Sequence, residues 1–340
     1  MSALGPREDL RDDGDAADDG AGRMAGARLG LDVGGTKIEG VALAETGETT
    51  ARVRLDTVPG RAGILCAVRE AVEQLRGDSA PPRSLGIGIP GQVDAAGGRV
   101  RHAVNLQLRD LDIRGALEQE LGIPVRVEND VNAATLGAHW LRGRRTESMG
   151  YLNLGTGVAA GVVIEGELWR GTRGAAGEIG HFSVDPRGAR CSCGQRGCIE
   201  TLTGGRAVAR AWGKPGPLPL RDMFDAAERG DPWAERLRGG VARGVAAAVQ
   251  LLVLSVDVST VVLGGGVSSL GDRLLKVVRE DLEQAAAESP FLRSLELGQR
   301  IGVLPPEQRA AALGAALIGE EPLTARAGVP AVSAMEERTW

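Results

Sequence analysis

Aromatic residues are scarce, at 3% of the 340-residue chain, so most of the 43% that is hydrophobic is Ala, Val and Leu. Small apolar side chains together with 51 glycines suit helices laid closely on sheets and many backbone turns. Positive charge is not in excess. A net charge of −5 and a pI near 5.5 argue against nucleic acid or a membrane surface as a general partner. No uninterrupted apolar run reaches the ~18 residues that a membrane span needs. The nearest, Gly244 to Val256, contains Gln250 and ends at Asp257. The first residues are acidic rather than basic-then-apolar, so no secretory signal is read there and a soluble, cytoplasmic protein is expected. The length exceeds what one hydrophobic core usually supports, so two domains are expected. Cysteine and histidine are rare, at four and three residues, but they are not scattered.

Gly177 to Glu200, GEIGHFSVDPRGARCSCGQRGCIE, gathers three of the four cysteines, one histidine and two glutamates. His181, Cys191, Cys193 and Cys198 are the four ligands that a closed tetrahedral zinc site requires. A disulfide is the alternative, but three cysteines leave one unpaired, and clustered thiols in a cytosolic chain bind metal more often than they oxidise. Four protein ligands leave no open position for water, so such a zinc is structural. Glu178 and Glu200 flank a locally rigid knot, a place to hold a polar substrate. Cys66 stands alone and reads as a small core residue.

Residues 1–27 carry Glu8, Asp9, Asp12, Asp13, Asp15, Asp18 and Asp19 without an apolar period and read as a disordered acidic tail. Leu29 to Val33 reads as a buried strand, Gly34-Gly35 as a turn and Ile38 to Ala44 as a return strand. This is not a P-loop: Thr36 follows Gly35 where Lys is needed, and a strand follows where a helix is needed. The turn offers backbone N–H groups and the Thr36 hydroxyl to phosphate, with Asp32 beside it for hydrated Mg²⁺. An ordinary hairpin reads equally well. A helix is expected over Gly60 to Arg76. The stretch Gly86 to Gly91 spells G-x-G-x-x-G, but Pro90 and the polar turn after it leave no helix for a dinucleotide. His102 to Leu108 reads as a loop, Leu111 to Leu121 as a helix and Pro124 to Glu128 as a strand. Asp130 then has two readings: an N-cap for the helix that follows, or a carboxylate at a strand's C-terminal end, where α/β sheets bind ligands.

Tyr151 to Glu167 repeats the plan of Leu29 to Ala44 at an offset of 121 residues, with Asn153 in the place of Asp32 and Gly155 in that of Gly34. Two such hairpins suggest an internal duplication, and a pair facing each other across a cleft could grip a triphosphate. Trp212 to Leu220 is a Pro/Gly loop, and a long helix follows from Asp231 to about Ser255. Ser259 to Leu263 is a strand delivering Gly264, Gly265 and Gly266, which would admit a flat ligand such as adenine. A helix spans about Leu270 to Ala287, and Ala310 to Ile318, AAALGAALI, reads as a small-residue helix built for close packing.

Together DVGGTK (Asp32–Lys37), GIPG (Gly88–Gly91), END (Glu128–Asp130), LGTGVAAG (Leu154–Gly161), GEIGH (Gly177–His181) and CSCGQRGCIE (Cys191–Glu200) resemble the ROK family of sugar kinases and repressors, most of all its bacterial glucokinases. The resemblance covers about residues 28–319. It implies an α/β, two-domain actin-like ATPase (ribonuclease H-like) fold with a duplicated core and a cleft between the domains. The expected division is 28–137, joined by a C-terminal helix at 307–319, and 138–306 with the zinc site, followed by a loose tail at 320–340. It implies an ATP-dependent phosphotransferase of carbohydrate metabolism and glycolysis that phosphorylates the 6-hydroxyl of a hexose, glucose first. Asp130 would be the general base, and Asn105, Asn129, Asp130, Glu178, His181 and Glu200 the sugar ligands. Asp32, Gly34, Gly35, Thr36 and Lys37, with Gly155, Thr156 and Gly157, would hold ATP phosphates and Mg²⁺, and Gly264–Gly266 the adenosine. His181 would use one ring nitrogen for zinc and face the sugar with the other. A homodimer or homotetramer is implied, with no nucleic-acid or membrane partner. Ala159 stands where the family often has Gly, and its methyl group is expected near the second phosphate turn. An amino-sugar kinase such as an N-acetylmannosamine kinase would use the same residues. A sugar-sensing regulator without catalysis would need a DNA-binding domain, and a 27-residue acidic extension is too short for one and repels DNA.

Overall fold

The computed structural model describes residues 26–77, 81–143 and 147–319. The acidic tail, apart from its last two residues, and the tail after Gly319 lie outside them. The chain opens with β1 (Arg28–Val33), β2 (Lys37–Leu43) and β3 (Thr49–Asp56), then α1 (Arg61–Arg76) and β4 (Ser84–Ile89). A meander of β5 (Gln92–Asp94), β6 (Arg99–Ala103) and β7 (Leu108–Asp112) leads to α2 (Ile113–Leu121), β8 (Val125–Asn129) and α3 (Asp130–Leu141). The second half begins with β9 (Met149–Leu154), β10 (Val158–Ile164) and β11 (Glu167–Leu168). It continues through α4 (Ile199–Thr203), α5 (Gly205–Trp212), α6 (Pro219–Glu228) and α7 (Pro232–Val256) to β12 (Thr260–Gly264). Then come α8 (Asp272–Ala287), α9 (Pro290–Ser294), β13 (Ile301–Val303) and α10 (Ala310–Ile318).

The two large sheets have one plan. The first runs β3-β2-β1-β4-β8 and the second β11-β10-β9-β12-β13. In each, an antiparallel hairpin supplies the first strands and two parallel strands complete the other side. β1 and β2, shifted by 121 residues, fall on β9 and β10 at both ends, so the duplication read in the sequence is a duplication of structure. Each sheet has its own apolar core, one drawn from residues 29–127 and the other from 152–301.

Two helices join the halves: α3 packs on strands of both large sheets, and α10 holds α3 to the first. α10 lies on β1 and β4 and crosses α3, and it can do so because glycines stand at each crossing. A Cβ on Gly30 would lie 2.0 Å from the Ala312 carbonyl oxygen, and one on Gly86 would lie 1.7 Å from that of Ala315. Gly137 of α3 and Gly314 of α10 face each other, and a Cβ on either would meet the opposite helix's carbonyl oxygen at 1.9 or 1.8 Å. A small cluster of Val131, Ala134, Ala138, Tyr151, Val262 and Ala310 then joins both halves around α3.

Several local expectations are corrected. His102 to Leu108 is no simple loop: β6 ends at Ala103, a single 3-10 turn covers Val104–Leu106, and β7 starts at Leu108. β7 occupies the residues expected to begin a helix at Leu111. The helix starts at Ile113, where the Asp112 carboxylate accepts the Gly115 N–H at 2.8 Å. Buried Val100, Ala103, Leu108 and Leu111 form a hairpin pattern that the intervening charged residues obscure. Cys66 is exposed rather than core, because α1 buries Ile64, Leu65, Val68, Val72 and Leu75 and Cys66 falls on the opposite side. α7 is long and apolar enough to cross a membrane, yet 56% of its most apolar window is buried and it packs against α4, α6 and α8. It is a core helix of the second half.

In an ordinary helix interior, Gly→Ala stabilises by about 1 kcal/mol. Gly137→Ala and Gly314→Ala should have the opposite sign, costing about 1–3 kcal/mol through overpacking. The readout is a lower denaturation midpoint at unchanged m-value.

Candidate functional site

Both glycine turns project from the ends of their first strands. In the first, the Gly34 N–H donates to the Lys37 carbonyl at 2.9 Å and the Thr57 hydroxyl donates to the Gly34 carbonyl at 2.8 Å. Gly35 and Thr36 are exposed. Neither Gly34 nor Gly35 has positive φ, so neither is needed here for a left-handed backbone. A Cβ on Gly34 would lie 3.0 Å from the Lys37 carbonyl oxygen, and one on Gly35 would lie 3.5 Å from Asn105. Lys37, expected among the phosphate ligands, donates to Glu39 at 2.9 Å. Two residues apart on β2, they share one strand face.

The second turn is tied to its surroundings through its carbonyls. Gly155 and Thr156 accept the N–H groups of Gly205 and Arg206, the first residues of α5, at 2.9 and 3.2 Å. Glu200 Oε2 accepts the Val158 N–H at 3.0 Å, and a Cβ on Gly157 would lie 2.5 Å from that oxygen. Glu200, read as a sugar ligand, thus also braces the turn. Ala159 does not crowd it: the residue pairs with Asn153 inside the sheet and packs on the cluster around Val131 and Ala134. The three glycines after β12 differ from one another. A Cβ on Gly264 would strike the Tyr151 hydroxyl at 2.0 Å, Gly265 has φ +81°, and only Gly266 faces open space.

The strand-to-helix corner at Glu128–Asn132 carries the central carboxylate. The cap is not Asp130 but Asn129, whose Oδ1 accepts the N–H groups of Val131 and Asn132 at 2.9 and 3.3 Å. Asp130 is the first helical residue, and its Oδ1 accepts from the Val131 N–H at 3.0 Å. Asn129 Nδ2 donates to the Gly91 carbonyl at 3.3 Å, so this side chain, expected to bind sugar, is also spent on the corner. Burial pushes Asp130 up to about 6 against the opposing pull of the Val131 N–H, and the negative charge of Glu178 adds to the rise. Asp32 is pushed up to about 7 by burial and by Asp130, with Lys37 acting against this. The fold therefore brings Asp32, Asp130 and Glu178 within electrostatic reach of one another. Asn105 sits exposed on the 3-10 turn beside Gly35.

His181, Cys191, Cys193 and Cys198 converge with their ligand atoms within 4.8 Å of one another. Cys191 Sγ lies 3.7 Å from His181 Nδ1, and Cys193 Sγ lies 3.6 Å from Cys198 Sγ. Two thiolates bound at about 2.3 Å in a tetrahedron are separated by ~3.8 Å, close to the Cys193–Cys198 separation, so the donor set fits a metal. The three thiols are free. His181 presents Nδ1 to the cysteines, leaving Nε2 for another partner.

Sequence reasoning missed three participants. Tyr151 is buried between Gly264 and the carboxylates, and burial, with Asp32, raises its phenol well above the usual range. Glu128, quoted only as part of a motif, is 3% exposed and accepts Arg170 Nε at 2.5 Å from the other half of the chain. A charged residue at a buried strand position was the signal for Glu128. Arg170 had none, because the contact is set by tertiary structure.

Comparison with known proteins places this architecture. The ROK family model matches residues 28–321. A glucokinase from Halalkalibacterium halodurans is 34% identical over 304 residues, covering 81% of this chain and 92% of the relative. An N-acetylmannosamine kinase from Yersinia pseudotuberculosis is 32% identical over 258 residues, covering 74% and 87%. The crystal structure of a ROK glucokinase from Streptomyces griseus in complex with glucose and AMPPNP superposes with a TM-score of 0.71 at 30% identity, covering 86% of this chain and 99% of that one. The paired sheets are thus the duplicated α/β core of the actin-like sugar-kinase fold, and the chain belongs to the ROK family.

Proposed function

We propose that the chain is an ATP-dependent kinase that transfers the γ-phosphate to the 6-hydroxyl of a hexose, glucose first, with Asp130 as general base. The observation that carries this reading is the desolvated Asp130 carboxylate at the end of β8, its pKa raised to about 6 beside Asp32 and Glu178. A carboxylate with that pKa is ionised at neutral pH yet basic enough to accept the hydroxyl proton as the sugar oxygen attacks phosphorus. Phosphoryl transfer otherwise needs positioning, charge neutralisation and exclusion of water. Asn105, Asn129, Glu178, His181 and Glu200 would hold the sugar. The Gly34–Thr36 and Gly155–Gly157 turns would hold phosphates, and Gly264–Gly266 the adenosine. Lys37 would act through Glu39 and Asp32 rather than on phosphate. Asp32 would hold the hydrated Mg²⁺, which neutralises phosphate charge.

The two halves, 28–137 with 307–319 and 138–306, are proposed to close over the sugar about α3, which packs on strands of both sheets. The cysteine–histidine cluster is proposed to bind one structural zinc ion that fixes the His181 ring. The Yersinia pseudotuberculosis relative supports a second reading, phosphorylation of an acetamido sugar by the same residues. Cytoplasmic location and a homo-oligomer accompany the first reading.

The deciding assay follows ADP release with Mg-ATP against glucose, mannose, fructose, N-acetylglucosamine and N-acetylmannosamine. Highest kcat/KM for glucose is expected; preference for an acetamido sugar selects the second reading, and no turnover with any of them overturns both. Asp130→Asn should lower kcat by about 10²–10⁴-fold, and wild-type kcat/KM should fall as pH drops through about 6, where the base becomes protonated.

Asp32 gives a stability signature. Its folded-state value of about 7 lies above the 3.8 of an ordinary aspartate, so ionising it opposes folding, and stability is lost as pH rises from about 4 through 7. Asp32→Asn should therefore raise the Tm of the ligand-free protein at pH 8, lose that advantage near pH 4, and abolish turnover.

The metal reading predicts one equivalent of zinc by elemental analysis. Cys193→Ser or a strong chelator should lower Tm and raise the sugar KM more than the ATP KM.

A further inference from the structure

Glu128 lies on β8, where alternation sets it on the opposite face from the core residues Val125 and Val127 and toward α3. A carboxylate buried to 3% exposure is costly unless its oxygens are satisfied, and here both are. Oε1 accepts the Asn129 N–H and the Asn132 side-chain amide, each at 2.9 Å. Oε2 accepts Arg170 Nε. The first two bonds fix the peptide and the first turn on either side of Asp130. The third comes from a segment remote in sequence, just past β11.

That segment leads directly to Glu178 and His181. It is anchored where the Trp169 N–H donates to Val162 and, at its far end, where the Gly177 carbonyl accepts the Ala160 N–H at 2.7 Å. Arg170 is therefore the first residue of a loop whose end delivers Glu178, and its guanidinium reaches across to the residue two before Asp130. Arg170 remains 34% exposed, at the rim rather than within the core.

We propose that the Glu128–Arg170 pair is a positioning device: it holds the Asp130 corner of one half against the Glu178–His181 loop of the other, setting the distance between base and sugar ligands. This deepens the kinase reading and rests on it. Removing the pair should leave nucleotide binding intact while misplacing the base, and a displacement of about 1 Å at a reacting centre costs up to ~10²-fold in rate.

The test compares wild type with Glu128→Gln, Arg170→Gln, Arg170→Lys and the double Gln variant. Glu128→Gln keeps an acceptor for Asn129 and Asn132 and turns an amide NH2, a donor, toward the Arg170 N–H, so the contact between the halves is broken while the corner's own bonds remain. Expected are a fall in kcat of about tenfold to a hundredfold with ATP KM unchanged, partial rescue in Arg170→Lys, and a double variant no worse than the weaker single, as for one coupled pair. Amide hydrogen exchange of 129–135 and 170–181 should quicken together in Glu128→Gln, a readout that does not depend on turnover. Wild-type kcat in folded variants, multiplicative single effects, or loss of kcat only in proportion to lost folded protein would overturn the proposal. If the wild type turns over no sugar, the kinase reading has failed, and unchanged exchange in both segments would then sink the pair as well.

Discussion

The structure depends on backbone lying directly against backbone where α10 meets α3 and the first sheet. Side chains normally keep helices 8–10 Å apart, but Gly137 and Gly314 remove them at the crossing, and Gly30 and Gly86 do the same beneath α10. A helix of alanine, glycine and leucine is therefore a structural requirement, not low complexity. The contact places the N-terminus of α3, and so Asp130, at a fixed height over the first sheet. Along its length α3 also packs on the second sheet, through Val131, Ala134 and Ala138 against Tyr151 and Val262, so displacement of this helix would be felt in both halves.

Against that rigid frame the chain sets groups that disfavour the fold. Asp32 and Asp130 are both drawn out of water, burial raises the cost of ionising each, and Asp130 adds to that cost at Asp32. Such concentrations of unfavourable charge are common where a site is shaped for a charged transition state rather than for stability. The bonds around them are local compensation: Asn129 caps the helix, Lys37 sits beside Glu39, and the Val131 N–H holds Asp130.

Much of this was legible in the sequence, and the reasons differ by element. The duplicated hairpins were readable because a strand, a glycine turn and a strand recur at one spacing, and spacing survives folding. The cysteine–histidine cluster was readable because its members are within 18 residues of one another. The cap at Asn129 was misassigned by one position, since Asn and Asp are both good caps and only backbone geometry separates them. The β6–β7 hairpin was hidden by its charged exposed face. Lys37 illustrates a different limit: its type suits phosphate, but its nearest partner was decided by strand pairing. Arg170 was beyond reach, because nothing near it in sequence shows which distant strand end it will meet.

The position of α10 has a consequence for synthesis. β1 and β4 leave the ribosome before α10, yet the surfaces at Gly30 and Gly86 are covered by α10 and the Gly319 that follows it. The half that is translated first is thus completed last. Until then its sheet presents bare backbone and an apolar face, the kind of surface that invites aggregation or a chaperone. The second half, whose main core is drawn from residues 152–301, takes from α10 little more than Ala310, in the cluster with Tyr151 and Val262.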